Sequence, residues 1–349
     1  MQFTISNSPH NLQIVSIEWI MRQVLISLIP GIVTMIYVFG WGILINLILA
    51  ITTAIIMESW VLYLRHRPIL ATLKDLSACV TAVLFALAIP PTLPWWITIL
   101  GISFAILVVK HLYGGIGYNP FNPAMAGYVF LLISYPIYMT TWLPPLMLNS
   151  HSLGFIDTII WLFTGNLPIG IELDAISAAT PLEIMRTGLR MHKMVSEIRC
   201  NSLWGDFGGR GWEWVGIWYA LGGLWLLRRR IITWHIPGAI LGTLILISSM
   251  FYLLDSQCNP PPPFHIFSGG AILGAFFVAT DPVTACTTPK GQIIYGAAIG
   301  LLIYIIRTWG GYPDAVAFSI LLLNMAVPLI DHYTQPRVFG TAVKVEICE

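Results

Sequence analysis

The stretch DAISAATPL, residues 174–182, concentrates the most suggestive chemistry in the chain. It offers one carboxylate, Asp174, and two hydroxyls, Ser177 and Thr180, with alanines between them that leave the backbone open to an approaching group. Pro181 disfavours helix at the residue before it, so Thr180 is expected to be extended and presented. From there PLEIMRTGLRMHKM reads as a helix that opens at proline, with Glu183 in its first turn. Thr180 would then stand at a helix N-terminus, where backbone N–H groups favour an anion. Arg186, Arg190 and Lys193 follow at spacings of four and three, which puts them on one face if the helix runs to 193. A presented hydroxyl, a helix N-terminus and nearby cations suit a phosphate. On the residues alone, a solvated loop without ligand is the more economical account.

Other residues raise similar choices. In GYNPFNPAMAG, residues 117–127, Asn119 and Asn122 each precede a proline. Their amides could receive a polar ligand or fix a broken helix, and the plainer role is helix capping. ATDPVTACT, residues 279–287, places Asp281 near a helix end among threonines, with the same two readings. Glu58 lies within an apolar run, where an ionisable group is costly and calls for a partner or a function. Arg65, seven residues along the same face, is the expected partner. Lys110 and Arg307 are expected to reach from helix ends to the interface. The cysteines at 79, 200, 258, 286 and 348 are isolated, with no CxxC pair, which speaks against a zinc or iron–sulfur site held by this chain. A disulfide between Cys200 and Cys258 is left open.

The elements that must position these groups follow from composition. The chain has 349 residues, 57% hydrophobic and 9% charged. Soluble domains carry about 25% charged residues. The deficit runs along the whole chain and means an integral membrane protein, with no basic tract for nucleic acid. The first twenty residues contain Glu18, no lysine and no arginine, unlike a cleavable signal peptide. Ten spans are expected, near 23–40, 42–63, 76–92, 94–110, 124–142, 212–228, 232–254, 264–281, 292–309 and 314–331. The split between the first two is placed at Gly40-Trp41-Gly42. With the N-terminus inside, 11 of the 17 lysines and arginines fall on the inner side and 6 on the outer. Five of those six sit in one loop, residues 143–211, where the positive-inside rule loses force. Both termini are thus expected in the cytoplasm and the 143–211 loop outside.

An internal repeat is also expected. ACVTAVLFALAIPPTLP resembles GAILGAFFVATDPVTAC, and the helices that follow end in a cation, an aromatic and Gly-Gly, at Lys110 and Arg307. By this topology the third span rises outward and the eighth descends inward, so the repeat is inverted. The domain reading is a first five-helix repeat over 1–142, an outer loop over 143–211 and a second five-helix repeat over 212–349. Such repeats put sites near the midplane at discontinuous helices.

The chain resembles the D subunits of Rnf-type ion-translocating electron transport complexes, which are homologous to the B subunit of the sodium-pumping NADH:quinone reductase. The resemblance rests on GGIGYNPFNPAMAGYVFLLISYP, DAISAATPL, FHIFSGGAILGAFFVATDPVTACTTPKG and GGYPDAVAFSILLLNMAVPLIDHYTQPRVFG. It implies that the motif Asp-x-x-Ser-Gly-Ala-Thr carries FMN, joined by a flavin transferase through its phosphate to the threonine hydroxyl. Asp174, Ser177, Ala179 and Thr180 match, and position 178 is alanine where the family usually has glycine. It further implies a non-covalent riboflavin in some members, which the motifs do not place by residue; separately, on their own chemistry, the amides of Asn119 and Asn122 could meet the polar edge of a flavin ring. Arg186 is the cation expected nearest the phosphate.

The resulting expectation is an all-α polytopic membrane protein of about ten helices in two inverted five-helix repeats. It would sit in a bacterial inner membrane with the flavin on the periplasmic side. It would relay electrons between a cytoplasmic ferredoxin/NADH side and a periplasmic flavin protein, coupled to Na⁺ or H⁺ movement. Partners would be other membrane, periplasmic flavin and cytoplasmic iron–sulfur and NADH-binding subunits. No GxGxxG follows a strand, so hydride transfer from NADH would belong to a partner. A secondary transporter or channel without a redox cofactor is the rival reading, because inverted repeats and broken helices suit it as well.

Overall fold

The structure is a computed structural model that describes residues 16–115, 117–148, 153–168, 170, 172, 176–312 and 314–336. Among the described residues every regular element is helical. Extended pairing is limited to two isolated bridges, Trp142 with Ala178 and Trp204 with Gly209.

The first two helices, α1 (Ile17–Phe39) and α2 (Gly42–Leu64), are separated at Gly40, whose φ of 86° suits glycine far better than a residue with a Cβ. The expected break at Gly40-Trp41-Gly42 is therefore where the chain turns. Next come α3 (Ser77–Ala88), α4 (Trp95–Phe104, continued by a π-helical stretch Ala105–His111) and α5 (Pro123–Ser134). Beyond them lie α6 (Phe155–Thr164), α7 (Pro181–Arg190), α8 (Trp212–Arg228) and α9 (His235–Leu254). The chain continues with α10 (Ala271–Leu273, continued by a π-helical stretch Gly274–Val278), α11 (Pro289–Trp309) and α12 (Val316–Thr334).

A helix occupies each expected span, with changed limits. Among the described residues five helices, α1, α2, α9, α11 and α12, are long and apolar enough to cross a membrane. The third expected span is a helix of 12 residues, which covers about 18 Å against the roughly 30 Å of a bilayer core. Pro90 and Pro91 cannot donate to a helix, which accounts for its early end. The fifth stops at Ser134, and Pro136 opens a separate short turn. The eighth is broken at Ser268–Gly270, where Gly269 adopts φ 69°. These short, broken helices lie inside: ten of the twelve residues of α3 are buried. The longer helices pack around them. Gly296 and Gly300 of α11 lie so close to the Ile236 and Ile240 carbonyls of α9 that a Cβ would collide.

Two cations expected at the interface are instead buried and held. Lys110 is 2% exposed and donates to Glu58 at 2.6 Å and to Ser77 Oγ at 2.7 Å. Glu58 thus pairs with Lys110 rather than with Arg65, whose guanidinium donates to the His111 carbonyl at 2.6 Å. Arg307 is 5% exposed and binds the His265 and Ser268 carbonyls and Asp314. The reason is common to both. The broken helices leave backbone and hydroxyl acceptors inside the bundle, and a long cationic side chain satisfies them there instead of reaching for water.

The 143–211 segment is more structured than a loop. The apolar run FIDTIIWLF forms α6, ended by left-handed Gly165, and it lies with Phe155 on Trp41 and Phe163 stacked on Trp95. That run and its terminal glycine are a helix signal, too short for the span length that selects membrane helices. Leu182, Met185, Val195, Ile198, Trp204 and Phe264 form a second, smaller core that seats α7 on the main bundle.

Candidate functional site: the Thr180 cleft

Thr180 has the conformation its neighbours demand. Its backbone is extended, φ −66° and ψ 154°, Pro181 takes the first helical position, and Thr180 Oγ1 accepts from the Glu183 amide at 3.3 Å. It is therefore the N-cap of α7. The stretch before it is pinned where Ala178 donates from its amide to the Trp142 carbonyl at 2.9 Å. That antiparallel bridge is extended backbone, which alanine adopts freely. The replacement of the usual glycine at 178 therefore introduces no strain. Ser177 is half-buried beside it, and Asp174 lies outside the described residues.

The Thr180 side chain opens on a cleft. Met125, Met139, Leu132, Trp142 and Trp212 supply apolar and aromatic walls. The two indoles lie 4.9 Å apart, with Phe39 against both. Thr140, Glu183 and Asp314 add polar groups to the lining, and Gly269 and Gly270 contribute backbone. An apolar cleft with few polar groups is the usual form of a cofactor site.

The cations after Thr180 do not act as one row. The helix ends at Arg190, and His192 turns into the left-handed region at φ 58°. Lys193 therefore leaves the shared face and lines a separate groove with Ala179, Glu183 and Thr187. Arg190 donates to the Gly310 carbonyl at 3.1 Å, tying α7 to the turn after α11. Arg186 is half-buried, its Nε has no hydrogen-bond partner among the described residues, and it does not line the Thr180 cleft. Burial lowers its guanidinium from the usual arginine range, Arg190 adds to the effect and Glu183 opposes it.

Asn119 and Asn122 sit elsewhere. They line a second cleft with Lys110, Ser77, Thr81, Thr280 and Asp281. The two clefts lie toward opposite ends of the same helices. Ser77–Leu84 of α3 face the second, and Leu87 and Ala88 face the first. Asn122 caps α5 through Met125 N at 3.2 Å, and its amide also reaches the Val278 carbonyl at 3.4 Å. Asn119 donates to the Phe121 carbonyl at 3.0 Å. Holding the local backbone is thus the role both amides fill on this geometry, with a cross-link from Asn122 to the second half of the chain. Cys200 and Cys258 are both exposed free thiols, so the disulfide left open by the sequence is not formed. Asp314, Trp142 and Trp212 join the cleft without a sequence motif that marks them. The one available signal is Asp314 in GGYPDA, after the Gly-Gly turn.

The residue pattern of the NQR2, RnfD, RnfE family matches residues 4–340. The chain belongs to that family. It is 49% identical over 347 residues to the D subunit of the ion-translocating oxidoreductase complex of Aliivibrio salmonicida, covering 97% of this chain and 99% of the relative. Against the protein of the same name in Aeromonas salmonicida it is 46% identical, covering 98% and 100%. For that of Yersinia pseudotuberculosis the identity is 48%, covering 97% and 98%. Both clefts, α7 and the buried cation clamps all fall inside the region shared with the NQR2, RnfD, RnfE family.

Proposed function

We propose that this chain is a membrane subunit of an ion-translocating oxidoreductase complex and carries FMN on Thr180 as a phosphoester. The observation that carries the reading is the placement of Thr180. Its half-buried hydroxyl caps a helix and opens on a cleft walled by indoles and methionines. The residues fit the group. Thr180 Oγ1 would be the attachment oxygen, and the N-terminal amides of α7 face a phosphate there. Trp142, Trp212 and Met139 would cover the ring and exclude water. When bound, the flavin supplies reversible electron transfer, and the chain supplies position, dielectric and shielding.

The wider frame is a bacterial inner membrane with both termini cytoplasmic and residues 143–211 periplasmic, in two inverted repeats of five spans. Two features support the repeat. Lys110 holds Ser77 at the start of α3, and Arg307 holds Ser268 just before α10. Each clamp stands beside one of the two clefts. The second cleft, with Asn119, Asn122 and Lys110, is where a non-covalent riboflavin would find polar groups. Electrons would then pass between the cytoplasmic iron–sulfur and NADH-binding subunits and a periplasmic flavin protein, coupled to Na⁺ or H⁺ movement. A flavin transferase would load Thr180.

The rival, a transporter without a redox cofactor, is compatible with two clefts at broken helices. It gives no reason for a threonine hydroxyl to open on an aromatic cleft. The experiment is ultraviolet in-gel fluorescence of the denatured chain, followed by mass spectrometry of the peptide over 174–186. Wild type should carry FMN on Thr180, Thr180→Ala should carry none while still inserting, and Thr180→Ser should retain part. Flavin on Ser177, or a wild-type chain bare of flavin after maturation with its transferase, would refute the assignment.

A further inference from the structure

The Thr180 cleft contains two carboxylates with different surroundings. Glu183 belongs to the first turn of α7, beside the attachment point. Asp314 comes from the turn between α11 and α12 and is fixed from three directions. Its Oδ2 accepts from the Gly270 amide at 2.9 Å. Its Oδ1 accepts from Arg307 at 3.2 Å and from the Val316 amide at 3.4 Å. Arg307 is in turn bound to the His265 and Ser268 carbonyls, so the clamp is anchored on the segment that leads into the break before α10.

Exposure decides which member of the pair a ligand can meet. The Arg307 side chain is 3% exposed and that of Asp314 is 29% exposed. Asp314 lines the cleft and Arg307 does not. The pair therefore turns its negative end toward the cleft and its positive end into the protein. The same clamp positions the wall. Gly269 is left-handed at φ 69°, and a Cβ there would meet Leu182 Cδ1 at 2.6 Å and Asp314 Oδ2 at 3.0 Å. Leu182 is the second residue after Thr180. Arg190 on the same helix is tied to the Gly310 carbonyl, in the same connecting segment as Asp314. The segment that fixes the carboxylate thus also fixes the helix that carries the attachment oxygen.

We propose that Asp314 is a flavin-contacting residue of this cleft, which orients the ring by accepting from its N–H edge and holds its midpoint potential down. The proposal rests on the assignment of FMN to Thr180. An immobile carboxylate facing the ring disfavours added negative charge, and in an apolar cleft that effect is weakly screened. Three fixed donors keep the carboxylate from rotating away when the ring becomes reduced. Glu183 does not offer the same immobile charge, because among the described residues no donor holds its carboxylate, whereas three hold that of Asp314.

The test is a redox titration of the covalent flavin in the assembled, purified complex, comparing wild type with Asp314→Asn and Asp314→Glu. Asparagine keeps an oxygen for the Gly270 amide and loses the charge. Asp314→Asn should raise the midpoint potential and alter the flavin absorption envelope, with covalent flavin retained. Asp314→Glu should return the potential toward wild type. An Asp314→Asn potential equal to wild type at full flavin content overturns the proposal. So does loss of flavin from both variants while the chain remains inserted, because Asp314 would then be a strut for the fold alone. A wild-type chain without flavin on Thr180 would instead overturn the attachment reading on which this one rests.

Discussion

Replacing Lys110 by methionine should destabilise the chain strongly, and replacing Glu58 by glutamine at the same time should recover most of the loss. The two side chains are 3% and 1% exposed and their charged atoms lie 2.6 Å apart. At an effective dielectric near 20, opposite charges at that separation of 2.6 Å attract by about 6 kcal/mol. Removing each ion from water costs several kcal/mol, so the intact pair contributes little net stability. Lys110→Met leaves Glu58 buried with only the His111 imidazole, 3.5 Å away, beside it, and also removes the donor to Ser77 Oγ. The expected cost is about 3–5 kcal/mol. Glu58→Gln alone leaves the ammonium unpaired at similar cost. The double variant has neither uncompensated charge and should lie within about 1–2 kcal/mol of wild type, which gives a coupling of about 3 kcal/mol or more. The assay is unfolding of the detergent-purified chain followed by tryptophan fluorescence, with all four proteins under one protocol. A double variant as unstable as the two singles combined would refute the pairing.

Arg186→Gln should leave flavin attachment intact and lower the flavin potential by only on the order of 20 mV, because Arg186 lies outside the Thr180 cleft and acts as a screened charge from farther along α7. An unchanged potential in that redox titration would assign α7 to structure alone. A thiol reagent should label Cys200 and Cys258 in the folded protein without reductant and reach Cys286 only on denaturation, because the first two are exposed and the last is buried. Labelling of the exposed pair that required reductant would show a disulfide instead. Reporter fusions after Pro145 and Gln257 should read as outside and after Arg230 as inside, following the distribution of lysine and arginine. A cytoplasmic signal from the 143–211 segment would invert the topology and move the flavin with it.

The amino-acid sequence by itself determined what depends on neighbours along the chain. Apolar runs placed a helix at every expected span. Gly40 marked the first turn, since a left-handed backbone selects glycine locally. Thr180 before Pro181 became an N-cap because both residues act on their own backbone. The DAISAATPL motif and its matched regions led to the family. Contacts between distant segments were decided by the tertiary structure. Glu58 and Lys110 stand 52 positions apart, and the obvious partner by helical spacing, Arg65, turned to the His111 carbonyl. Asn122 reaches Val278 across 156 positions, joining the two halves. The cationic face ended early because His192 turned left-handed, which separated Lys193 from Arg186 and Arg190. Asp314 entered the Thr180 cleft only because Arg307 and the Gly270 amide hold it there. The physical reason is the same in each case. A buried polar group inside an apolar bundle takes whichever donor or acceptor the packing brings within reach, and a linear pattern records the group without recording the neighbour.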